Sequence, residues 1–124
     1  MDFLAVALGG AVGSCARYGV GQVLKGLCVT FPAGTFAANV LAGLIIGFIT
    51  GLASALGMPP RTKLLLTTGL CGGLSTFSTF SLETVTLVQQ GAWGMAAVNI
   101  AANVAVCCLA VAAGLWLASA VAAQ

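Results

Sequence analysis

Charged residues are scarce in this 124-residue sequence. Only 5% of its residues are charged, two acidic and four basic, whereas 60% are hydrophobic. A soluble domain normally carries about a quarter charged residues. A chain with so few charges cannot cover a water-facing surface, so the composition predicts an integral membrane protein.

The residue types used for catalysis and metal binding are also scarce. The sequence has no histidine, no paired carboxylates and no nucleophile beside a plausible base, so an enzyme is not expected. No basic motif predicts a nucleic-acid partner. The five cysteines include no C-x-x-C pair, and we interpret them as small apolar residues within helices.

Four apolar segments account for most of the chain. Each is long enough, at about 1.5 Å of rise per residue, to cross a hydrocarbon core of about 30 Å. They cover residues 3–24, 33–56, 64–88 and 93–121. The connections between them are short, so the sequence predicts an all-α membrane protein whose residues 1–124 form one domain of four transmembrane helices.

The basic residues are distributed almost evenly about these segments. Arg17 and Lys25 belong to one side of the membrane, and Arg61 and Lys63 belong to the other side together with Asp2. The positive-inside rule requires a clear excess on one side. The sequence therefore sets no orientation and permits insertion either way round.

Glycines recur every four residues in the first two segments. Gly9 and Gly13 form one such pair, and Gly43, Gly47 and Gly51 form a longer series. Because lipid provides little hydrophobic drive for helix association, small residues at this spacing favour close backbone packing. We expect both sets to lie at helix contacts.

Several polar residues fall within or near the apolar segments. They are Arg17, Asn39, Ser75, Thr76, Ser78, Thr79, Glu83, Asn99 and Asn103. A polar group without a partner in hydrocarbon costs several kcal/mol. Four short helices have little interior, so we expect this polar face to meet a second copy, to line a conduit, or both.

The stretch "TTGLCGGLSTFSTFS" concentrates these polar residues in the third segment. Its glycines lower helix propensity and its hydroxyls offer competing hydrogen bonds to the backbone. Two interpretations remain open: an unwound segment, which membranes tolerate where it is buried in protein or lines a cavity, and an ordinary helix whose hydroxyls bond its own carbonyls.

Phe77 and Phe80 are three residues apart in this stretch and share one helical face. They are either core or lipid-facing aromatics, or rings whose positive edges contact a small anion. The neighbouring hydroxyls and Asn39 would then add neutral hydrogen-bond donors.

Three motifs together resemble the CrcB/Fluc family of fluoride channels. They are "GGAVGSCARY", "GTFAANVLAGLIIG" and "GLCGGLSTFSTFSLE", which occur in order along the chain. The resemblance implies an antiparallel, dual-topology homodimer of four-helix chains whose third helix is broken near the midplane. It also implies two narrow pores that export fluoride passively from the cytoplasm across the cell (inner) membrane.

The same resemblance assigns roles to individual residues. Phe77 and Phe80 match the two phenylalanines that flank the fluoride path, Asn39 matches its pore-facing asparagine, and Ser78 and Thr79 match its polar pair. Family members also hold a structural sodium ion at the dimer centre through backbone carbonyls.

The matching positions for this sodium ion are Gly72 and Ser75, where serine replaces the common threonine. Carbonyl ligation does not depend on that side chain. Arg17 and Glu83 match a first-helix arginine and a third-helix acid that lie towards the aqueous vestibules.

The fourth helix of the family adds a polar track to the pore. Asn103, Cys107 and Val111 lie at four-residue spacing here, but the latter two lack the hydroxyl that the family predicts. Either the track is shorter in this protein or the alignment register differs. Asn99 extends the same face and is a second candidate.

Two other functions fit a four-helix membrane protein. A small multidrug exporter needs a buried acid in its first helix, and the sequence has none between Phe3 and Leu24. A scaffold without transport activity would rely on the glycine contacts alone, would leave the polar stretch unexplained, and predicts no ion flux.

Overall fold

The computed structural model describes residues 1–26 and 30–124, and all regular structure in these ranges is helical. The elements are α1 (Asp2–Val23), α2 (Ala33–Leu56), α3 (Pro60–Leu64), a π-helix π1 (Leu65–Cys71), α4 (Gly72–Leu74), α5 (Phe77–Gln89) and α6 (Trp93–Ala122). The segment from Pro60 to Gln89 is called the third span below. The prediction of an all-α fold is confirmed. Cys28, interpreted from the sequence as a helical residue, lies outside the described residues.

Three of the helices are long and apolar enough to cross a membrane by length and composition. They are α1, α2 and α6. The third span is divided among shorter elements, of which α5 is the longest with 13 residues. The expected apolar segment 64–88 is therefore not one continuous helix, because the backbone is extended at Ser75 and Thr76.

Glycine and proline set the ends of several elements. Gly57 ends α2 in the left-handed conformation with φ of 73°, which a residue with a side chain rarely adopts. Pro60 then occupies the first position of α3, where its missing N–H costs no helical hydrogen bond. Gly91, with φ of 77°, provides the turn between α5 and α6.

Helices α2 and α6 make the most extensive contact in the structure, and glycine makes it possible. A Cβ atom at Gly47 would collide with the Val111 carbonyl, and one at Gly114 of α6 would collide with the Leu44 carbonyl of α2. We call this contact the glycine seam. The expectation that the second-segment glycines lie at a helix contact is confirmed.

The third span packs on α1 in the same manner. A Cβ atom at Gly9 or Gly13 would collide with the carbonyl of Leu65 or Leu70, respectively. In the opposite direction, a Cβ atom at Gly73 would collide with the Gly10 carbonyl of α1. Close backbone approach from both sides therefore holds π1 and α4 against α1.

The core formed by these contacts consists of small residues. Ala38 and Ala42 of α2 cluster with Cys71 and Leu74 of the third span, all at most 5% exposed. This cluster places the N-terminal half of α2 directly beside the end of α4. It therefore positions Asn39 next to the extended residues Ser75 and Thr76.

Candidate functional site

The site is built around two extended residues in the third span. Ser75 (φ −79°, ψ 155°) follows the end of α4, and Thr76 (φ −151°, ψ 115°) precedes the start of α5. The Ser75 N–H still donates to the Cys71 carbonyl at 2.9 Å. The Thr76 N–H instead donates to Asn39 Oδ1 at 2.7 Å, so it does not continue the helix by bonding to the Gly72 carbonyl.

Thr76 then caps the new helix with its side chain. Its hydroxyl oxygen accepts from the Thr79 N–H at 3.2 Å, which satisfies one of the free donors of the first turn of α5. The same hydroxyl donates to Thr79 Oγ1 at 3.0 Å and lies 3.2 Å from Ser78 Oγ. Ser78 and Thr79, both predicted from the sequence, thus belong to a hydroxyl cluster at the start of α5.

Phe77 and Phe80 occupy the first turn of α5. Their ring centroids are 5.5 Å apart with a tilt of 47° between the ring planes. Phe77 is 80% exposed in the single chain, whereas Phe80 is partly buried. Both rings border a cavity that we call the central cavity.

The central cavity has a volume of about 610 Å³. Every residue that lines it in the described ranges is uncharged. The sequence-predicted residues Asn39, Phe77, Phe80, Asn103 and Cys107 line it, together with the proposed cation-binding positions Gly72 and Ser75. Most of the predicted site residues therefore lie around one cavity, although they belong to elements that are far apart in the sequence.

Two of the predicted pore residues do not border the central cavity. Thr79 lines a second cavity of about 350 Å³ together with Arg17. Ser78 is exposed and does not border the central cavity. Thr76 lines both cavities. A path along the predicted residues would therefore pass around the start of α5.

Asn39 and Asn103 are directly bonded. Asn39 Nδ2 donates to Asn103 Oδ1 at 3.0 Å and makes a longer contact of 3.4 Å with the Thr76 carbonyl. Asn103 Nδ2 donates to both the carbonyl and the side-chain oxygen of Asn99, each at 3.0 Å. The Asn103 donors are thus directed into the protein and not into the cavity.

Asn99 is fully buried and connects this pair to α5. Its Nδ2 donates to Thr84 Oγ1 at 2.9 Å. From the sequence, Asn99 is named among the polar residues of the apolar segments and as a second candidate for the fourth-helix track, whereas Thr84 is not named. The available signal was polarity at helical spacing on α5 and α6, but only the packing of these helices shows that the two polar faces meet.

The two remaining fourth-helix candidates diverge. Cys107 borders the central cavity. Val111 packs against the glycine seam, where its Cγ2 atom would lie 3.5 Å from a Cβ atom at Gly43, and it does not border the cavity. The valine thus serves helix packing, which explains why no hydroxyl is needed there.

Gly72 and Ser75 provide backbone oxygens at the interruption. Because the Thr76 N–H is bonded to Asn39, the Gly72 carbonyl is left without the helical donor four residues later. Both residues are exposed in the single chain and border the central cavity. No group of three metal-ligating His, Cys, Asp or Glu side chains occurs in residues 1–26 and 30–124. Carbonyl oxygens suit hard cations, so these positions fit such an ion.

Arg17 and Glu83 are separated by the structure. Arg17 Nε donates to the Gly73 carbonyl at 3.0 Å beside the second cavity. Glu83 Oε1 accepts from the Thr35 hydroxyl at 2.7 Å and borders a further cavity of about 410 Å³ near Pro32. The two charged side chains therefore lie at different cavities and do not form an ion pair.

Comparison with known proteins identifies relatives over nearly the whole chain. Residues 4–115 match the family described as CrcB-like protein, Camphor Resistance (CrcB). A protein of Aromatoleum aromaticum named fluoride-specific ion channel FluC is 49% identical over 104 residues, which cover 83% of this chain and 79% of that protein. The protein of that name from Paraburkholderia xenovorans is 50% identical over 104 residues, covering 83% and 82%.

A third relative extends the match towards both ends. The protein of Streptomyces avermitilis named fluoride-specific ion channel FluC 1 is 46% identical over 121 residues. The aligned part covers 97% of this chain and 98% of that protein. The likeness therefore includes all four helical segments together with the residues of the central cavity.

Proposed function

We propose that this protein, a member of the CrcB-like protein family, is a channel that conducts fluoride. Its family and its three long apolar helices make it a multi-pass membrane protein. The observation that carries the functional proposal is the composition of the central cavity, in which aromatic rings and neutral amides meet without a charged side chain. Relatives that cover most of the chain are named fluoride-specific ion channels.

This lining suits a small anion that has to pass and not remain bound. An anion that leaves water needs donors that replace its hydration, but a full positive charge would hold it too tightly for rapid release. The ring edges of Phe77 and Phe80 and the amide of Asn39 provide weak positive partners. Conduction of this kind involves no covalent step, so the protein is not an enzyme on this proposal.

The full pore requires a second copy of the chain. Gly72, Ser75, Phe77 and Ser78 are exposed in the single chain although they belong to the third span. Hydrocarbon would leave the Gly72 carbonyl, whose helical donor is bonded to Asn39, without a partner at a cost of several kcal/mol. We therefore propose an antiparallel homodimer with two pores, and the even distribution of basic residues supports insertion in both orientations.

A sodium ion is proposed at the centre of this homodimer. The carbonyls of Gly72 and Ser75 would hold it, and it would supply a fixed positive charge near both pores. Asn39 leaves the Gly72 carbonyl free for this purpose by accepting the Thr76 N–H. No side-chain ligand is required.

Fluoride would reach the cavity from aqueous vestibules. Arg17 and Thr79 line the second cavity, which shares the lining residue Thr76 with the central cavity and is the proposed approach for the anion. Glu83 would lie towards a vestibule at the cavity near Pro32. We place the protein in the cell (inner) membrane, where it would export fluoride from the cytoplasm.

The structure disfavours a proton-coupled drug exporter. The only acid in α1 is Asp2, which lies at the exposed end of the helix 3.3 Å from Arg61 Nε. An exchanger of protons for a cationic drug needs a carboxylate inside the membrane in its first helix. No observation favours this second function.

Fluoride efflux from vesicles that contain the purified protein tests the proposal. A fluoride electrode records release after the membrane potential is collapsed, and a parallel sample loaded with chloride provides the control. We expect rapid fluoride release and chloride release close to that of protein-free vesicles. Equal release of the two halides, or no release of fluoride, would contradict the proposal.

A further inference from the structure

All three asparagines of the sequence lie in one continuous hydrogen-bonded chain. This series of hydrogen bonds starts at the Thr76 N–H and runs through Asn39, Asn103 and Asn99 to Thr84. We call these five residues the asparagine relay. It joins the interruption of the third span to α2, α6 and the middle of α5.

We infer that Asn99 and Thr84 are positioning residues, which act through this relay to determine which way the Asn39 amide faces. Asn39 borders the central cavity, whereas Asn99 and Thr84 do not. The inference rests on the proposed function only in its consequence for fluoride. The orientation of the amide is a property of the protein that can be measured separately.

At each end of the relay, a backbone group that can act only as a donor or only as an acceptor determines which atom donates in the bonds between them. At one end, the backbone N–H of Thr76 can only donate, so Asn39 must present its oxygen there. At the other end, the Thr84 hydroxyl donates to the Phe80 carbonyl at 2.7 Å, and a carbonyl can only accept. The Thr84 oxygen is therefore an acceptor for Asn99 Nδ2.

The interior bonds then have one arrangement. Asn99 gives its NH₂ to Thr84 and so presents its oxygen to Asn103. Asn103 gives its NH₂ both to this oxygen and to the Asn99 backbone carbonyl, and so presents its oxygen to the Asn39 NH₂. Reversing the Asn39 amide alone would oppose two oxygens at Asn103 and two N–H groups at Thr76. Buried polar groups without partners are costly, and Asn99 and Asn103 are 0% and 7% exposed.

The consequence is that Asn39 presents a donor to the cavity. One of its two N–H bonds goes to Asn103 at 3.0 Å, whereas the other makes only the long contact of 3.4 Å with the Thr76 carbonyl. This second N–H makes the longest hydrogen bond among the relay residues, so it is the donor that can bond an anion instead. With the amide reversed, an acceptor oxygen would face the anion and repel it.

The test is made at Thr84, because removal of the fully buried Asn99 risks unfolding. Thr84→Val removes the hydroxyl and keeps the shape of the side chain, and Thr84→Ser keeps the hydroxyl. Thr86→Val is a matched control, since the Thr86 hydroxyl bonds the Leu82 carbonyl at 2.8 Å in the same helix but contacts no asparagine. The full-length protein is labelled with ¹⁵N-asparagine, which gives three side-chain NH₂ groups.

We expect Thr84→Val to shift the NH₂ resonances of all three asparagines, including the distant Asn39, by more than Thr86→Val does. Thr84→Ser should restore the wild-type positions. Fluoride efflux from vesicles should fall about threefold in Thr84→Val, corresponding to one side-chain hydrogen bond between membrane helices, and should recover in Thr84→Ser.

Two outcomes would overturn the inference. An Asn39 resonance that moves no more in Thr84→Val than in Thr86→Val would show that the relay transmits no orientation. Unchanged efflux in Thr84→Val with a conducting wild type would show that the orientation does not matter for fluoride. If the wild type itself releases no fluoride, the proposed function fails, but the NMR comparison still decides the relay.

Discussion

The glycine seam between α2 and α6 and the interruption at Ser75–Thr76 hold helices together by different means. The seam brings backbones into direct contact, as shown by the collisions that a Cβ atom at Gly47 or Gly114 would cause. The interruption instead uses directional bonds, of which the two between Asn39 and Thr76 are examples. Neither contact is driven by the hydrophobic effect, because the surrounding lipid tails are as apolar as the helix surfaces.

The difference separates stability from activity. Side-chain hydrogen bonds between membrane helices contribute only about 0.6 kcal/mol on average, whereas overpacking a close contact costs about 1–3 kcal/mol. The seam should therefore determine whether the chain folds. The interruption should determine what the folded protein does, because its polar groups border the central cavity. Substitutions in the two regions sharpen this comparison.

The largest effect is expected at Phe80, which borders the central cavity. Phe80→Ile removes the ring edge offered to the anion and should reduce fluoride efflux to that of protein-free vesicles, while size-exclusion chromatography shows an unchanged assembly. Phe36→Ile is the matched control, since Phe36 packs against Phe31 with centroids 5.5 Å apart and does not border the cavity. Undiminished efflux in Phe80→Ile would remove the role of the aromatic rings.

The next effect is expected in the glycine seam. Gly114→Ala places a methyl group against the Leu44 carbonyl and should destabilise the protein by about 1–3 kcal/mol. Gly94→Ala in the same helix meets no atom within 4 Å and should change stability by less than about 0.5 kcal/mol. Unfolding of both variants in detergent measures the difference. Equal stability of the two would show that the seam is not closely packed.

A smaller effect is expected at the helix cap. Thr76→Val removes the acceptor for the Thr79 N–H and should weaken the start of α5 by about 1 kcal/mol, whereas Thr76→Ser should preserve it. Amide exchange at Thr79 should then accelerate about fivefold in the valine variant. Protection equal to that of the wild type would mean that another group caps the helix.

The smallest effect is expected at Cys107, which borders the central cavity as a weak donor. Cys107→Ser adds a stronger donor to the fourth-helix face and should raise fluoride efflux by less than about tenfold. Cys15→Ser, at an exposed position of α1 that does not border this cavity, should leave efflux unchanged. A decrease in Cys107→Ser would show that the thiol contributes to packing and not to the path.

Patterns with a short period were predictable from the sequence. The four-residue spacing of Gly43, Gly47 and Gly51 predicted a close helix contact, and the three-residue spacing of Phe77 and Phe80 predicted one shared face. Both features depend only on helical geometry. The concentration of glycine and hydroxyls in the third span, by contrast, left two interpretations open, an unwound segment and an ordinary helix.

Relations between distant segments were not predictable in this way. Val111 continues the spacing of Asn103 and Cys107 but packs on the seam, because it lies one helical turn beyond Cys107, the last residue of α6 that borders the cavity. Thr84 was missed because its bond to Asn99 depends on the angle at which α5 leaves the interruption. Sequence spacing carries no information about that angle.

By itself, the sequence determined that this is a helical membrane chain with close glycine contacts and one polar span, since these properties follow from composition and from periodicity along a single helix. Only the tertiary structure decided that Asn39 closes the interruption and that all three asparagines join in one relay. The physical reason is that hydrogen bonds have a range of about 3 Å, so their partners are known only when helices have been placed beside one another.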